Sequence, residues 1–157
     1  MHAGDHFGWP FCNVGVPDPD LGQLGDCAQT RAPTYFLPAH SAPLGAAFYT
    51  GHQFPPEYQG NLFVALHGSW NRSQPQGYKI IHIGMNGAST GSVQDFATGW
   101  LPADARCNNR PADNERSTGI CRADAWGRPV GLAAGPNGAM YVSDDTAGAI
   151  YPITYAP

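Results

Sequence analysis

Apolar residues along this chain gather in short runs, and no segment keeps a helical period. Each run is bounded by Gly, Pro, Asn or Asp, which is typical of strands separated by tight turns. The predicted strands are residues 43–50, 61–67, 78–84, 92–97, 129–135, 139–144 and 149–155. Pro152 lies inside the last run. A proline cannot donate to a central ladder, so this run is predicted to be an edge strand.

The predicted strands form a weak internal repeat. Residues 43–84 and residues 129–155 each begin with Pro-x-Gly and continue as three short strands separated by turns. Repeated short meanders are typical of propeller blades, although short apolar runs can also resemble one another by chance. The pattern predicts an all-β chain containing a few blades.

Composition supports many short strands and excludes several functions. The chain has 20 glycines and 15 prolines among 157 residues, and 42% of its residues are hydrophobic, which argues against disorder. Its net charge is −4 and Lys79 is its single lysine, so nucleic-acid binding is not expected. No apolar run approaches the roughly 20 residues of a membrane-spanning helix.

Four cysteines form two pairs that are local in sequence, Cys12 with Cys27 and Cys107 with Cys121. Each pair brackets a long loop, although four cysteines allow three connectivities. We predict two disulfides that staple these loops, each stabilising the chain by about 3 kcal/mol. Disulfides indicate an oxidising compartment. The first ten residues do not resemble a signal peptide, and a chain that begins partway into a gene would reconcile the two observations.

Two segments place a tryptophan and an arginine beside predicted strands. Trp70 and Arg72 follow one strand in the segment His67-Gly-Ser-Trp-Asn-Arg72, and Trp126 and Arg128 precede another. A guanidinium group binds a carboxylate through two parallel hydrogen bonds. Two convergent arginines with tryptophan rings therefore suit a flat polyanionic aromatic ligand. The alternatives are a structural tryptophan packing under a surface arginine, and an arginine that binds loop carbonyls.

Other polar residues allow more than one role. His40 leads into the first predicted strand and is a candidate general base, ligand donor or structural histidine. Asp144 and Asp145 follow a strand, where they are expected to cap the turn rather than bind a cation. The histidines have no metal-ligand spacing. No nucleophile elbow, P-loop or dinucleotide-binding glycine motif occurs, so hydrolase, nucleotide and NAD chemistry have no support.

Six motifs then occur in order. They are His6-Phe-Gly-Trp-Pro10, His40-Ser-Ala-Pro-Leu-Gly45, Phe48-Tyr-Thr-Gly51, His67-Gly-Ser-Trp-Asn-Arg72, Trp126-Gly-Arg-Pro-Val-Gly131 and Tyr141-Val-Ser-Asp-Asp145. Together they resemble the C-terminal part of the glucose/sorbosone dehydrogenase family. These soluble quinoproteins oxidise aldoses or sorbosone with pyrroloquinoline quinone (PQQ) and calcium. The resemblance extends over residues 5–155.

The resemblance implies a partial six-bladed β-propeller of about two to three blades, forming a single domain over residues 1–157 with long disulfide-stapled loops. Arg72 and Arg128 would contact the cofactor carboxylates, His40 and Ser41 would line the pocket wall, and two tryptophans would flank the quinone or the sugar. The residues implied to bind PQQ are Arg72, Arg128, His40, Ser41, Trp70 and Trp126.

Other parts of the family's site have no counterpart in this chain. The family's general-base histidine and the carbonyls that hold calcium precede the matching region, so no catalytic residue and no metal ligand is assigned here. We expect part of a periplasmic or secreted PQQ-dependent sugar dehydrogenase that is inactive alone and self-associates through exposed sheet flanks. The alternatives are a non-catalytic propeller module that binds carbohydrate or protein, and an unrelated β-sandwich.

Overall fold

The computed structural model describes residues 3–70, 72, 74–87, 89–103, 105, 107–108, 122–123 and 125–156. The chain divides into two compact units, Met1–Phe36 and Leu37–Pro157. Among the described residues we find no helix with the length and apolar character of a membrane span.

The unit Met1–Phe36 is built from short turns. Strands β1 (Cys12–Asn13) and β2 (Val16–Pro17) form an antiparallel hairpin. Two 3-10 turns follow, Gly22–Leu24 and Cys27–Gln29. A disulfide joins Cys12 to Cys27, which confirms the first of the predicted staples.

The buried positions among residues 3–36 are Gly8 and Cys12. Most large apolar side chains in the same stretch are exposed, and Trp9 is the extreme case at 79% exposure. An ion pair of 3.1 Å between Arg31 Nε and Asp5 Oδ1 adds a polar contact. The disulfide and local hydrogen bonds therefore hold this unit, since few apolar side chains are buried in it.

The unit Leu37–Pro157 contains a four-stranded antiparallel sheet. Its strands are β3 (Pro43–Phe48), β4 (Leu62–Leu66), β5 (Lys79–Asn86) and β6 (Ser89–Ala97), and they are hydrogen-bonded in chain order. A 3-10 turn, Pro56–Tyr58, lies in the connection between β3 and β4.

Two further strand sets follow in the same unit. The short strands β7 (Cys107–Asn108) and β8 (Arg122–Ala123) pair with each other. Strands β9 (Pro129–Ala134), β10 (Met140–Asp144) and β11 (Ala149–Ile153) form a three-stranded antiparallel sheet in chain order.

The predicted strands are confirmed in both sheets, with ends that differ by up to three residues. The all-β prediction is therefore confirmed. Pro152 lies in β11 at the edge of its sheet, opposite Tyr141, as its missing N–H group requires. The predicted second disulfide, Cys107–Cys121, falls outside the described residues because Cys121 is not among them.

The core of the larger unit lies on both faces of β4. Successive side chains of a strand point to opposite faces, so a continuous apolar run predicts that both faces are covered. Phe63 packs in a cluster that includes Met140 and Val142 of the three-stranded sheet. Val64 packs on the other face, in a second cluster that includes Ile81.

Gly45 allows the two sheets of the larger unit to approach closely. A Cβ atom added at Gly45 would clash with the carbonyl oxygen of Val130 and would lie 3.0 Å from the Cα atom of Gly131. A side chain at this position would push β3 away from β9. The close approach brings the N-terminal ends of these two strands near each other, and the candidate site forms at those ends.

Candidate functional site

The candidate site lies where the ends of four strands meet. Pro43 pairs with Leu66, which places the segment before β3 beside the segment after β4. Two backbone hydrogen bonds join these segments, from His67 N to Ala42 O (2.9 Å) and from Gly68 N to Ser41 O (3.0 Å). Asp144 likewise pairs with Pro129, so Arg128 and Asp145 emerge at the same end of the second sheet.

Arg128 joins the two sheets at this point. Its Nε donates to the carbonyl oxygen of His67 at 3.0 Å, and its Nη2 donates to the carbonyl oxygens of Gly68 and Ser69. The guanidinium carbon lies 5.2 Å from the centre of the Tyr78 ring, within range of a cation–π interaction. The sequence left open that this arginine binds loop carbonyls, and the structure confirms that it does.

The carbonyls that receive Arg128 are themselves held in place. Ser69 N donates to Gln76 O at 2.8 Å, and Gln76 N donates to Ser69 Oγ at 3.0 Å. The hydroxyl of the buried Tyr78 donates to Ser69 O. Gly77, with φ of +89°, permits this closure, because a Cβ there would lie 2.7 Å from the Cα atom of Gly68. The segment 67–69 is therefore a fixed row of acceptors.

Arg72 reaches the neighbouring loop. It is half-buried, and its Nη1 donates to the carbonyl oxygen of Ala39 at 3.0 Å. Because the loop at residues 39–42 is bonded to residues 67–68, both arginines are anchored in the same pair of adjoining segments. The structure thus brings the two predicted carboxylate-binding residues to one region of the larger unit.

The loop before β3 has an unusual backbone. His40 and Ala42 have φ values of +66° and +51°, in the left-handed region that costs a non-glycine residue about 1 kcal/mol or more. His40 is exposed, whereas Ser41 between them is fully buried. The Ser41 hydroxyl donates to Pro38 O at 2.7 Å. The cofactor-binding roles of His40 and Ser41 stay predictions, and the Ser41 hydroxyl stabilises the loop.

The two predicted tryptophans have exposed rings. Trp70 is 54% exposed and Trp126 is 51% exposed. Trp126 stacks on the buried Trp100 with ring centres 6.1 Å apart, and its Nε1 donates to Gly99 O at 2.5 Å. Its exposed ring therefore has a fixed orientation two residues before Arg128.

One pair of residues in the site was not predicted from the sequence as functional. His67 Nε2 and Asp145 Oδ1 are 3.0 Å apart. The hydrogen bond from His67 holds the pKa of Asp145 below its ordinary value, against a smaller opposing effect of burial, and the Arg128 charge lowers it further. The available signal was that each residue lies at the end of a predicted strand: His67 is the last residue of 61–67, and Asp145 directly follows 139–144.

Asp144 has the capping role that the sequence predicted. It is buried, and its Oδ1 accepts from Ala147 N at 2.8 Å in the turn after β10. Its Oδ2 makes no hydrogen bond with the described residues, and this atom lies against Gly127. Nowhere in the described part of the chain do three or more His, Cys, Asp or Glu side chains form a group that could hold a metal ion.

In chemical terms, the two joined segments anchor two guanidinium groups, and a tryptophan with an exposed ring stands two residues before each arginine in the sequence. Guanidinium groups bind carboxylates in defined directions, and exposed aromatic faces pack on flat ligands. The bonds of Arg128 to the carbonyls use Nε and Nη2, and its Nη1 lies outside those three bonds. The donor set therefore fits a planar ligand that carries carboxylates.

Known proteins resemble this chain over most of its length. A family model described as TrAA12-like matches residues 18–156. An uncharacterized protein of Borreliella burgdorferi is 33% identical over an alignment of 157 positions, which covers 96% of this chain and 36% of that protein. A pyrroloquinoline quinone-dependent pyranose dehydrogenase of Coprinopsis cinerea is 35% identical over 142 residues, which cover 83% of this chain and 18% of that enzyme.

The solved structures include the holo form of the pyranose dehydrogenase PQQ domain from Coprinopsis cinerea. It superposes with a TM-score of 0.63 at 29% identity, over 96% of this chain and 40% of that one. The chain therefore spans well under half the length of these relatives. The chain belongs to the TrAA12-like family, and the expected resemblance to PQQ-dependent sugar dehydrogenases is confirmed.

Proposed function

We propose that this chain is the C-terminal part of a six-bladed PQQ-dependent sugar dehydrogenase, in which it supplies contacts to the cofactor carboxylates. One observation carries the proposal: Arg72 and Arg128, from segments more than 50 residues apart, are bonded into the same pair of joined segments. The four-stranded and three-stranded sheets would be two of the blades, within a single propeller domain over residues 1–157.

Five residues of the site have roles in this proposal. The chemistry that a bound PQQ would supply is that of a planar tricarboxylate quinone, which would accept a hydride from C1 of the sugar. Arg72 and Arg128 would bind carboxylates and fix the orientation of the ring system. Trp70 and Trp126 would cover its faces and exclude water, and His40 would stand at the pocket wall.

The remaining parts of the reaction are assigned to polypeptide outside these 157 residues. We assign the general base, and the backbone carbonyls that bind calcium in the family, to that other polypeptide. The coverage of 36% to 40% of two relatives supports this division. The disulfide between Cys12 and Cys27 supports a periplasmic or secreted parent protein. Exposed apolar residues such as Phe48 and Ile150 support self-association of the isolated chain.

The test is a titration of the 157-residue chain with PQQ, followed by the absorbance of the quinone and by tryptophan fluorescence. Arg72→Ala and Arg128→Ala should each weaken PQQ binding by roughly 10-fold to 100-fold, as expected for loss of a charge-assisted hydrogen bond. Arg72→Lys should recover only part of the affinity because lysine lacks the planar fork.

The matched control is Lys79→Ala. Lys79 is a cation at the start of β5 in the four-stranded sheet. Its charge is paired with Asp95, whose Oδ1 lies 2.7 Å from Lys79 Nζ. Its removal should leave PQQ binding within about twofold. Equal affinities of the two arginine variants and the unchanged chain would refute the proposed contacts. Binding of a sugar or of a protein by a chain that does not bind PQQ would favour the non-catalytic module.

A further inference from the structure

Two side chains next to strands of the three-stranded sheet contact one residue, His67, directly after β4 of the four-stranded sheet. Arg128, just before β9, donates through Nε to the carbonyl oxygen of His67 at 3.0 Å. Asp145, just after β10, lies 3.0 Å through Oδ1 from Nε2 of the same histidine. His67 is thus bound at both its main chain and its imidazole ring.

The His67 carbonyl is one of the acceptors that position the Arg128 guanidinium. Among the described residues, the three hydrogen-bond acceptors of Arg128 are consecutive carbonyls that begin at His67. The far end of this row is fixed by Tyr78 and Gln76, which bond to Ser69. The near end has two main-chain bonds, from His67 N to Ala42 O and from Gly68 N to Ser41 O, and both acceptors belong to the loop in which His40 and Ala42 have left-handed backbone. The bond to Asp145 is therefore the side-chain contact that holds the near end.

We propose that His67 and Asp145 are positioning residues for Arg128. The pair holds the His67 carbonyl in the orientation that receives Arg128 Nε, and it thereby directs the rest of the guanidinium toward the cofactor carboxylate; this last step rests on the proposed function. The His67 side chain is 17% exposed and that of Asp145 is 60% exposed. An exposed pair of this kind contributes little to stability by itself, so its effect should appear in the geometry of Arg128.

The first readout is the Nε–H proton of Arg128 in the 157-residue chain without cofactor, observed by proton–nitrogen NMR and assigned with Arg128→Lys. In the unchanged chain this proton should exchange slowly with water, because it is donated to His67 O. In Asp145→Ala and in His67→Phe the exchange should be at least about fivefold faster, which corresponds to loss of roughly one net hydrogen bond.

Two further variants make the test specific. Asp145→Asn retains an oxygen that can bond to His67, so it should restore most of the protection. Asp95→Ala removes another exposed carboxylate, the one paired with Lys79, and should leave the Arg128 signal unchanged. Unaltered exchange in both Asp145→Ala and His67→Phe would overturn the positioning role. If one of these two variants does not fold, the other decides.

The second readout is the PQQ titration. Asp145→Ala should weaken PQQ binding by about fivefold, and Asp145→Asn should weaken it less. Failure of the unchanged chain to bind PQQ, together with faster Arg128 exchange in the variants, would refute the proposed function and leave the positioning role intact. Unchanged Arg128 exchange in a chain that binds PQQ would refute the positioning role alone.

Discussion

In the unit Met1–Phe36, Gly8 and Cys12 are the buried positions among residues 3–36, and a disulfide ties Cys12 to Cys27. In the unit Leu37–Pro157, by contrast, apolar side chains fill two clusters on opposite faces of β4. Phe63 is fully buried there, whereas Trp9 in the smaller unit is 79% exposed.

The comparison shows that a segment with few strands and a segment with many strands are stabilised in different ways. A segment with few buried apolar residues gains stability from a cross-link, which restricts the unfolded chain. A segment with long apolar strands gains it from burial and dense packing. Substitutions in the two units should therefore act through different mechanisms and with different magnitudes.

The largest effect is expected from Phe63→Ala in the core of the larger unit. Phe63 is fully buried and contacts the Phe96 ring at 4.7 Å between centres, so truncation leaves a cavity. The free energy of unfolding should fall by about 3–5 kcal/mol, measured by urea denaturation. Phe48→Ala is the control, because Phe48 is 55% exposed, and it should cost under about 1 kcal/mol. Similar losses in both variants would contradict the assigned core.

Removal of the disulfide should come next. Cys12 and Cys27 are 15 residues apart, and a loop of that size gives a stabilisation of about 3 kcal/mol. The double variant Cys12→Ser, Cys27→Ser leaves the other two cysteines untouched. The amides of Gln29 and Thr30, which close the turn at Cys27, should exchange with solvent faster. Unchanged exchange at these amides would show that local hydrogen bonds alone hold the smaller unit.

Gly45→Ala tests the close approach of the two sheets. The added methyl group would meet the Val130 carbonyl, and backbone atoms can move away only at a cost of roughly 2 kcal/mol. Gly84→Ala is the matched control within β5, since a Cβ there lies 3.4 Å from Ser92 Oγ, an ordinary contact. It should change stability by no more than about 0.5 kcal/mol. Thermal unfolding of the two variants side by side provides the comparison.

The smallest effect concerns His82 and depends on pH. Burial lowers the pKa of His82 below its ordinary value of 6.5, and its Nε2 makes no hydrogen bond with the described residues. As the pH falls below 6.5, the unfolded chain binds a proton more readily than the folded chain, so stability falls. His82→Phe should remove this acid-side loss, so the free energy of unfolding should depend less on pH below 6.5. If the free energy of unfolding depends on pH in the same way in His82→Phe and in the unchanged chain, this effect of His82 is contradicted.

Much of the fold could be predicted from the sequence because its signals are local. Glycines and prolines mark the ends of the strands, and Pro152 identifies an edge strand through its missing N–H group. The disulfide between Cys12 and Cys27 could be predicted for the same reason, since its partners bracket one loop. The turn-capping role of Asp144 also depends on neighbours a few residues away.

The candidate site could be predicted only in part because it depends on contacts between sheets. Two alternatives were open for Arg128, and its bonds to residues about 60 positions earlier became visible only in the folded chain. The pair of His67 and Asp145 is separated by 78 positions. Each residue belongs to one of the six motifs, but neither motif indicates that the two side chains meet, and the pair forms where Gly45 lets the two sheets approach.

The anchoring of Arg128 also affects the entropy of binding. A surface arginine loses rotamer freedom when it meets an anion, and immobilising such a side chain costs about 0.5–1.5 kcal/mol. Arg128 is held by three carbonyls and the Tyr78 ring, so most of this freedom is lost during folding. An anion that reaches its guanidinium group therefore meets a preorganised partner, and more of the electrostatic attraction remains as affinity.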